Sequence, residues 1–198
     1  MFKVLMAGAL SMAVAVPASA ATFLVDAEQH SSDSGSGTGL ATGLVFSVGD
    51  LLTISSSLDD LWSAGALPRW SDANGLVGDR FATGTDESGE AAGTLIGSDF
   101  GLLQIAGFSA PFGSLVGRYA DGTYQLFGAS FNGAAAGNGE LTLFYWDTFT
   151  ADNAGAITFD IGGAIPEPAT WLMLLLGFGL VGGLLRRRTP TTLRIRYA

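Results

Sequence analysis

Leu141-Thr142-Leu143-Phe144-Tyr145-Trp146-Asp147-Thr148-Phe149-Thr150-Ala151-Asp152-Asn153-Ala154-Gly155-Ala156-Ile157-Thr158-Phe159-Asp160-Ile161 reads as strand, loop and strand. An apolar run ends at an aspartate. A short polar stretch closes in Asp-Asn-x-Gly, and Ile157, Phe159 and Ile161 then alternate with Thr158 and Asp160. Alternation of period two is the mark of a strand with one face buried. The rest of the middle of the chain repeats the pattern. Runs rich in Val, Ile, Leu, Phe and Tyr lie at Leu40–Val48, Asp50–Ser56, Phe100–Phe108, Ser114–Tyr119 and Thr123–Phe127, separated by Gly, Asn, Asp and Ser. Gly49-Asp50 and Asp121-Gly122 supply turns. No long apolar stripe of helical period occurs between the two ends. Seven to nine short strands at fairly even spacing predict an all-β domain, an antiparallel sandwich or jelly roll.

Both ends of the chain have a different character. Met1–Ala20 carries Lys3, the apolar run Val4–Val16, and then Pro17-Ala18-Ser19-Ala20. Charge, apolar core and small-x-small pattern occur in the order a Sec signal peptide requires, with signal peptidase reading Ala18 and Ala20 and cutting after Ala20. At the other end, Pro166-Glu167-Pro168 precedes the apolar run Trp171–Leu185, and Arg186, Arg187 and Arg188 follow it. That run lies at the short edge of what spans a bilayer. The arginines place its exit in the cytoplasm, and residues 189–198 add Arg194 and Arg196 on that side. The division expected is therefore a signal helix at 1–20, a β-sandwich at 21–164, a sorting segment with one transmembrane helix at 165–188, and a cytoplasmic tail at 189–198. Within the β domain, 21–39 reads as a flexible start, because Ser31–Gly39 is Ser-Ser-Asp-Ser-Gly-Ser-Gly-Thr-Gly.

Composition narrows the chemistry. The chain has 198 residues, a net charge of −9, one histidine and no cysteine. Thiolate sites, disulfides and a cysteine nucleophile are excluded, zinc is disfavoured, and a Ser-His-Asp triad would have to use His30. Six of the nine basic residues lie in the two end segments and the tail. Between them only Arg69, Arg80 and Arg118 face seventeen acidic residues, a net charge of −14. That balance argues against a nucleic-acid partner and suits a hard divalent cation. Asp147, Asp152 and Asn153, with Thr150 between them, bring several oxygens to one hairpin end, and calcium takes 6–8 oxygen ligands. The same residues suit an ordinary acidic turn. Trp62 and Trp70 suit either core packing or stacking on a sugar ring. Asp59-Asp60 and Asp86-Glu87 are the carboxylate pairs a polysaccharide hydrolase would draw on, and solvated loops account for them equally.

Pro166-Glu167-Pro168, an apolar segment and an arginine cluster in that order resemble the PEP-CTERM sorting signal, also known as the ice-binding protein C-terminal domain. The resemblance implies an exported bacterial protein handled by an exosortase, a membrane-embedded cysteine transpeptidase that cuts near the tripeptide. It further implies an inner-membrane intermediate, then residence at the cell surface or in an extracellular polysaccharide matrix. Val48-Gly49-Asp50, Pro111–Arg118, Asp147 and Asp152-Asn153-x-Gly155 are similar to the calcium-dependent galactose-binding bacterial lectins, which are small β-sandwiches. That second resemblance implies calcium at Asp147, Asp152 and Asn153, with Thr150 a further candidate, and sugar hydroxyls on the calcium. The loop is two residues shorter than the lectin pattern, and the lectins' sugar-contacting histidine has no counterpart. The reading is a non-enzymatic surface or matrix protein, with a calcium-dependent lectin and a carboxylate hydrolase as alternatives.

Overall fold

The computed structural model describes residues 20–163, 174–179 and 181–183. The strands in chain order are β1 (Ala21–Asp26), β2 (Leu40–Phe46), β3 (Leu51–Ser55), β4 (Trp62–Ser63), β5 (Trp70–Ser71), β6 (Arg80–Phe81), β7 (Leu95–Gly97), β8 (Leu102–Ile105), β9 (Phe108–Pro111), β10 (Leu115–Tyr119), β11 (Tyr124–Leu126), β12 (Ser130–Ala134), β13 (Gly139–Tyr145) and β14 (Ala154–Gly162). A six-stranded sheet runs β12-β3-β14-β4-β5, with β1 also paired to β14. A four-stranded sheet runs β11-β10-β13-β2. Every pairing of named strands is antiparallel.

The two sheets face one another across one core. Val25, Leu52, Ile54, Trp62, Ile157, Phe159 and Ile161 come from the first sheet, and Phe46, Leu115, Tyr119, Leu141, Leu143 and Tyr145 from the second. Two sheets interdigitating inner side chains in this way make a β-sandwich, the all-β antiparallel class the sequence predicts. Ile157, Phe159 and Ile161 are buried while Thr158 and Asp160 are exposed, so the alternation reports the pleat directly. The outer face of the four-stranded sheet is not left open. Hairpin β8–β9 lies over it, with Leu103, Ile105 and Ala110 against Val116 and Trp146.

Three expectations are refined or corrected. Phe100–Phe108, read as one strand, spans a strand and a turn: Ile105 pairs with Phe108, and Ala106 and Gly107 both take positive φ (50° and 84°), the geometry of a two-residue hairpin turn. The flexible start expected over 21–39 is instead built into the fold. All of β1 pairs with β14 from Ala21↔Ile161 to Asp26↔Ala156, and Ser31 and Ser32 are buried. Serine satisfies buried backbone with its hydroxyl as readily as it solvates a loop, which composition alone does not distinguish. Trp62 as a stacking surface is also corrected. Its ring is fully buried, donates from Nε1 to the Gly113 carbonyl at 2.8 Å, and packs at 4.6 Å from Tyr145 and 5.8 Å from Phe159.

The signal segment before Ala20, with Ala18, lies outside the described residues, as do Pro166, Glu167, Pro168, Arg186, Arg187, Arg188 and the tail 189–198. Residues 174–179 and 181–183 are helical. Among the described residues no helix is long and apolar enough to cross a membrane.

Trp62 joins both sheets, so Trp62→Ala removes packing from each. Urea unfolding of the exported protein is expected to show a loss of about 3–5 kcal/mol, the range for truncating a buried tryptophan or phenylalanine.

Candidate functional site

β13 delivers Asp147 just beyond its last residue, and the loop 148–153 returns the chain to β14. Strand alternation decides what Asp147 meets. Tyr145, two residues earlier, points the same way into the core and is fully buried. Asp147 is therefore carried inward as well and is only 4% exposed. Its main chain is clamped by the serine-rich segment. Ser32 Oγ accepts from the Asp147 N–H at 2.9 Å and donates to the Asp147 carbonyl at 2.7 Å. The Ser34 N–H reaches the same carbonyl at 3.3 Å, and Ser34 Oγ donates to the Thr148 carbonyl at 2.9 Å.

The loop closes on itself and on β1. Asn153 donates its backbone N–H to the Thr150 carbonyl at 3.1 Å, and its Nδ2 donates to the Ala27 carbonyl at 3.1 Å. Asn153 is 7% exposed, and its Oδ1 has no hydrogen-bond partner. Asp152 is exposed, with its carboxylate beside Gly65. Gly155 takes φ +88° where β14 meets β4, and a Cβ there would stand 2.7 Å from the Leu61 carbonyl. Glycine is required at that crossing, which explains the last residue of the Asp-Asn-x-Gly pattern. Gly155 pairs with Trp62 and Ala154 with Ser63, which brings the chain around residue 63 beside Asn153.

The electrostatics follow from burial. Desolvation pushes the Asp147 carboxyl above the usual range, and the Asp152 charge adds to it. The N–H groups of Thr148 and Phe149 and the Asn153 amide pull the other way. A carboxyl raised on folding counts against stability once the pH passes its unfolded value, in full above its folded value. Tyr145 is pushed well above the ordinary phenol range, first by burial and then by Asp147 and Asp152, with Arg69 opposing. Its hydroxyl, like Asn153 Oδ1, is buried with no partner. A buried polar atom left unpaired costs about 1–3 kcal/mol. Asp147 and Asn153 thus form a buried oxygen-rich spot, with the Asp152 carboxylate and the Arg69 guanidinium both close to Gly65 beside it.

Of the expected ligands, Asp147 and Asn153 are thus brought together, and Asp152 is close enough for its charge to act on Asp147. The Thr150 carbonyl is engaged in the turn. Among the described residues no three His, Cys, Asp or Glu side chains gather to hold an ion by themselves. A cation here would draw on the Asn153 amide and on backbone carbonyls. Sequence reasoning missed Ser32, Ser34 and Ala27, the residues that hold the loop; the only signal for the two serines was a run that composition assigns to linkers, and Ala27 carried none.

The other candidates take structural places. His30 Nδ1 accepts the Asp26 N–H at 2.9 Å, and burial lowers its pKa against the opposing Asp26 charge. It closes the turn after β1. Asp86 is half-buried and held down to about 2 by the Ser88 hydroxyl and the Thr83 N–H, which suits a turn and not a general acid. Trp70 is half-buried against Leu61, Ala82 and Ile96 and lines a cavity of about 150 Å³ with Asp72 and Arg80, which form an ion pair.

Comparison with known proteins adds the character of the C-terminus. Residues 164–188 match the PEP-CTERM protein-sorting motif. No curated protein matches the chain. Among solved structures, the chain is similar to the EclA N-terminal domain, a PllA-like lectin, at 21% identity over 71% of this chain and 93% of that one, with a TM-score of 0.44. The chain carries a PEP-CTERM sorting signal, the mark of a surface protein processed by an exosortase.

Proposed function

We infer that this protein is an exported, non-enzymatic component of the extracellular polysaccharide layer, whose β-sandwich binds calcium at the Asp147–Asn153 loop. The sorting signal at 164–188 supports the destination. What supports calcium is one observation: the buried Asp147 carboxyl neighbours the Asn153 side-chain amide, whose Oδ1 is a buried acceptor with no donor. A divalent cation offsets the Asp147 desolvation and satisfies that acceptor at once. Asp152, at the solvent edge, supplies a second carboxylate, and main-chain carbonyls complete an oxygen set. Any sugar recognised there would meet the ion directly, since Trp62 is buried and offers no platform. The three basic residues between Ala21 and Ile165 leave a charge of −14, which draws cations from the medium and turns nucleic acid away.

In the processing route proposed here, signal peptidase cuts after Ala20, the apolar segment 171–185 holds the protein in the inner membrane with its arginines inside, and an exosortase cuts near Pro166-Glu167-Pro168. Proline on both sides of Glu167 is unfavourable to a helix in general, and a protease accepts an extended chain.

Calcium at a hundredfold its Kd is expected to stabilise the exported protein by about 2.7 kcal/mol, read as a rise in melting temperature. Asp147→Asn and Asn153→Ala are each expected to abolish the rise. A wild-type melt indifferent to calcium refutes the metal. N-terminal sequencing of the mature protein is expected to begin at Ala21, and recovery of Met1 there rules out the signal peptide. Glu167→Ala is expected to leave the protein in the membrane fraction; release at the wild-type rate is incompatible with exosortase sorting.

A further inference from the structure

The strand that leads to the sorting signal is paired almost to its end. β14 runs to Gly162, which pairs with Thr53 of β3, while Ile161 faces Ala21 on the other edge. Gly163 takes φ +95° and lies against the Leu51 backbone. From Gly163 to Pro166 there are only three residue steps, at most about 10 Å of extended chain. An enzyme that closes its active site on Pro166-Glu167-Pro168 therefore meets the end of the sandwich at the same time.

That end has a defined surface. The turn between β2 and β3, Ser47–Asp50, is held rigidly. The Ser47 N–H donates to Asp50 Oδ2 at 2.7 Å and the Val48 N–H to Asn138 Oδ1 at 3.1 Å. The Gly49 N–H reaches the Ala135 carbonyl at 2.9 Å, and the Ala135 N–H the Asp50 carbonyl at 2.8 Å. On this pinned turn Val48 is 61% exposed, and the adjoining Leu51 is 72% exposed. Single exposed aliphatics need no explanation by themselves. The Leu51 backbone lies beside Gly163, where the chain leaves for the cut site, and Val48 stands three residues before Leu51 on the pinned turn, in a strongly acidic domain.

We propose that the Ser47–Leu51 turn, through Val48 and Leu51, is a docking surface for the exosortase, an apolar contact made with the outward face of the enzyme while the tripeptide occupies its active site. The inference rests on the sorting reading above. The reach of the chain favours the enzyme over the bilayer as the occupant. The tripeptide is within about 10 Å of the sandwich, whereas the eight steps from Gly163 to Trp171 allow about 28 Å to the apolar segment, enough to leave the domain clear of the lipid.

Because the chain has no cysteine, single-cysteine labelling of the full-length protein in its own membrane is clean. Val48→Cys reports on the proposed surface. Gln29→Cys, exposed after β1 at the opposite end, is the control. Without exosortase, a water-soluble maleimide is expected to label both equally. With a catalytically inactive exosortase present, labelling of Val48→Cys is expected to fall several-fold and that of Gln29→Cys to stay unchanged. With the active enzyme, Val48→Asp combined with Leu51→Asp is expected to slow release several-fold, and Gln29→Asp to leave it unchanged. Equal labelling with and without the inactive enzyme, or release of the double variant at the wild-type rate, overturns the proposal. Protection of Val48→Cys in the absence of enzyme assigns the surface to the bilayer and overturns it too. Failure of the active enzyme to release even the wild-type chain is a different result, and removes the sorting reading itself.

Discussion

β14 carries this fold on both of its edges. One edge pairs with β1 over all of that strand's residues, and the other is shared between β3 at its end and β4 at its start. Its inward side chains Ile157, Phe159 and Ile161 supply the middle of the core. A strand with period-two side chains cannot slip by one residue without turning all three to solvent and bringing Thr158 and Asp160 inside. The register of the sheet, the position of the candidate cation loop before Ala154 and the exit of the chain at Gly163 are all set by that one constraint.

The candidate loop depends on a second constraint, the double hydrogen bond between Ser32 and the Asp147 main chain. β13 ends at Tyr145, and beyond it the chain would otherwise be free to turn outward. Ser32 holds it in, so that the Asp147 side chain remains buried and Asn153 is drawn onto the Ala27 carbonyl. The segment 31–37 is thus the wall of the loop. Gly37 has no room for a side chain, because a Cβ there would overlap the Ser31 carbonyl.

Much of this was legible in the sequence, for a physical reason. β2, β3, β10 and β11 fall within the runs of aliphatic and aromatic residues read as strands, and β13 and β14 overlap theirs with shifted ends, because burial on a pleated sheet demands that pattern. The turn at Asp121-Gly122 was legible as well. The Tyr119 carbonyl accepts the Gly122 N–H at 2.9 Å, and Gly122 takes φ +89°. What stayed hidden was held by backbone or by hydroxyl groups. β12 is Ser-Phe-Asn-Gly-Ala and pairs with β3 at the sheet edge, where little burial shapes its composition. β4, β5 and β6 are two residues long, too short to carry a period. In the site, the aspartates and Asn153 were visible by type and spacing. The orphaned Oδ1 and the serine clamp were not, since both arise from contacts across more than a hundred residues.

The pairing of Ala21 with Ile161 has a mechanical side. The chain enters and leaves at one end of the sandwich, while the loop Asp147–Asn153 lies at the other, about 30 Å away along the nine residues of β14 at the usual strand rise. A load applied between the two chain ends would peel β1 from β14 one hydrogen bond at a time. A load between the C-terminal exit and the far loop runs along the extended backbone of β14 instead, and separates no pair of strands. The same sandwich is therefore weak against being unzipped at its ends and strong against tension along the axis that joins its C-terminal exit to the Asp147–Asn153 loop.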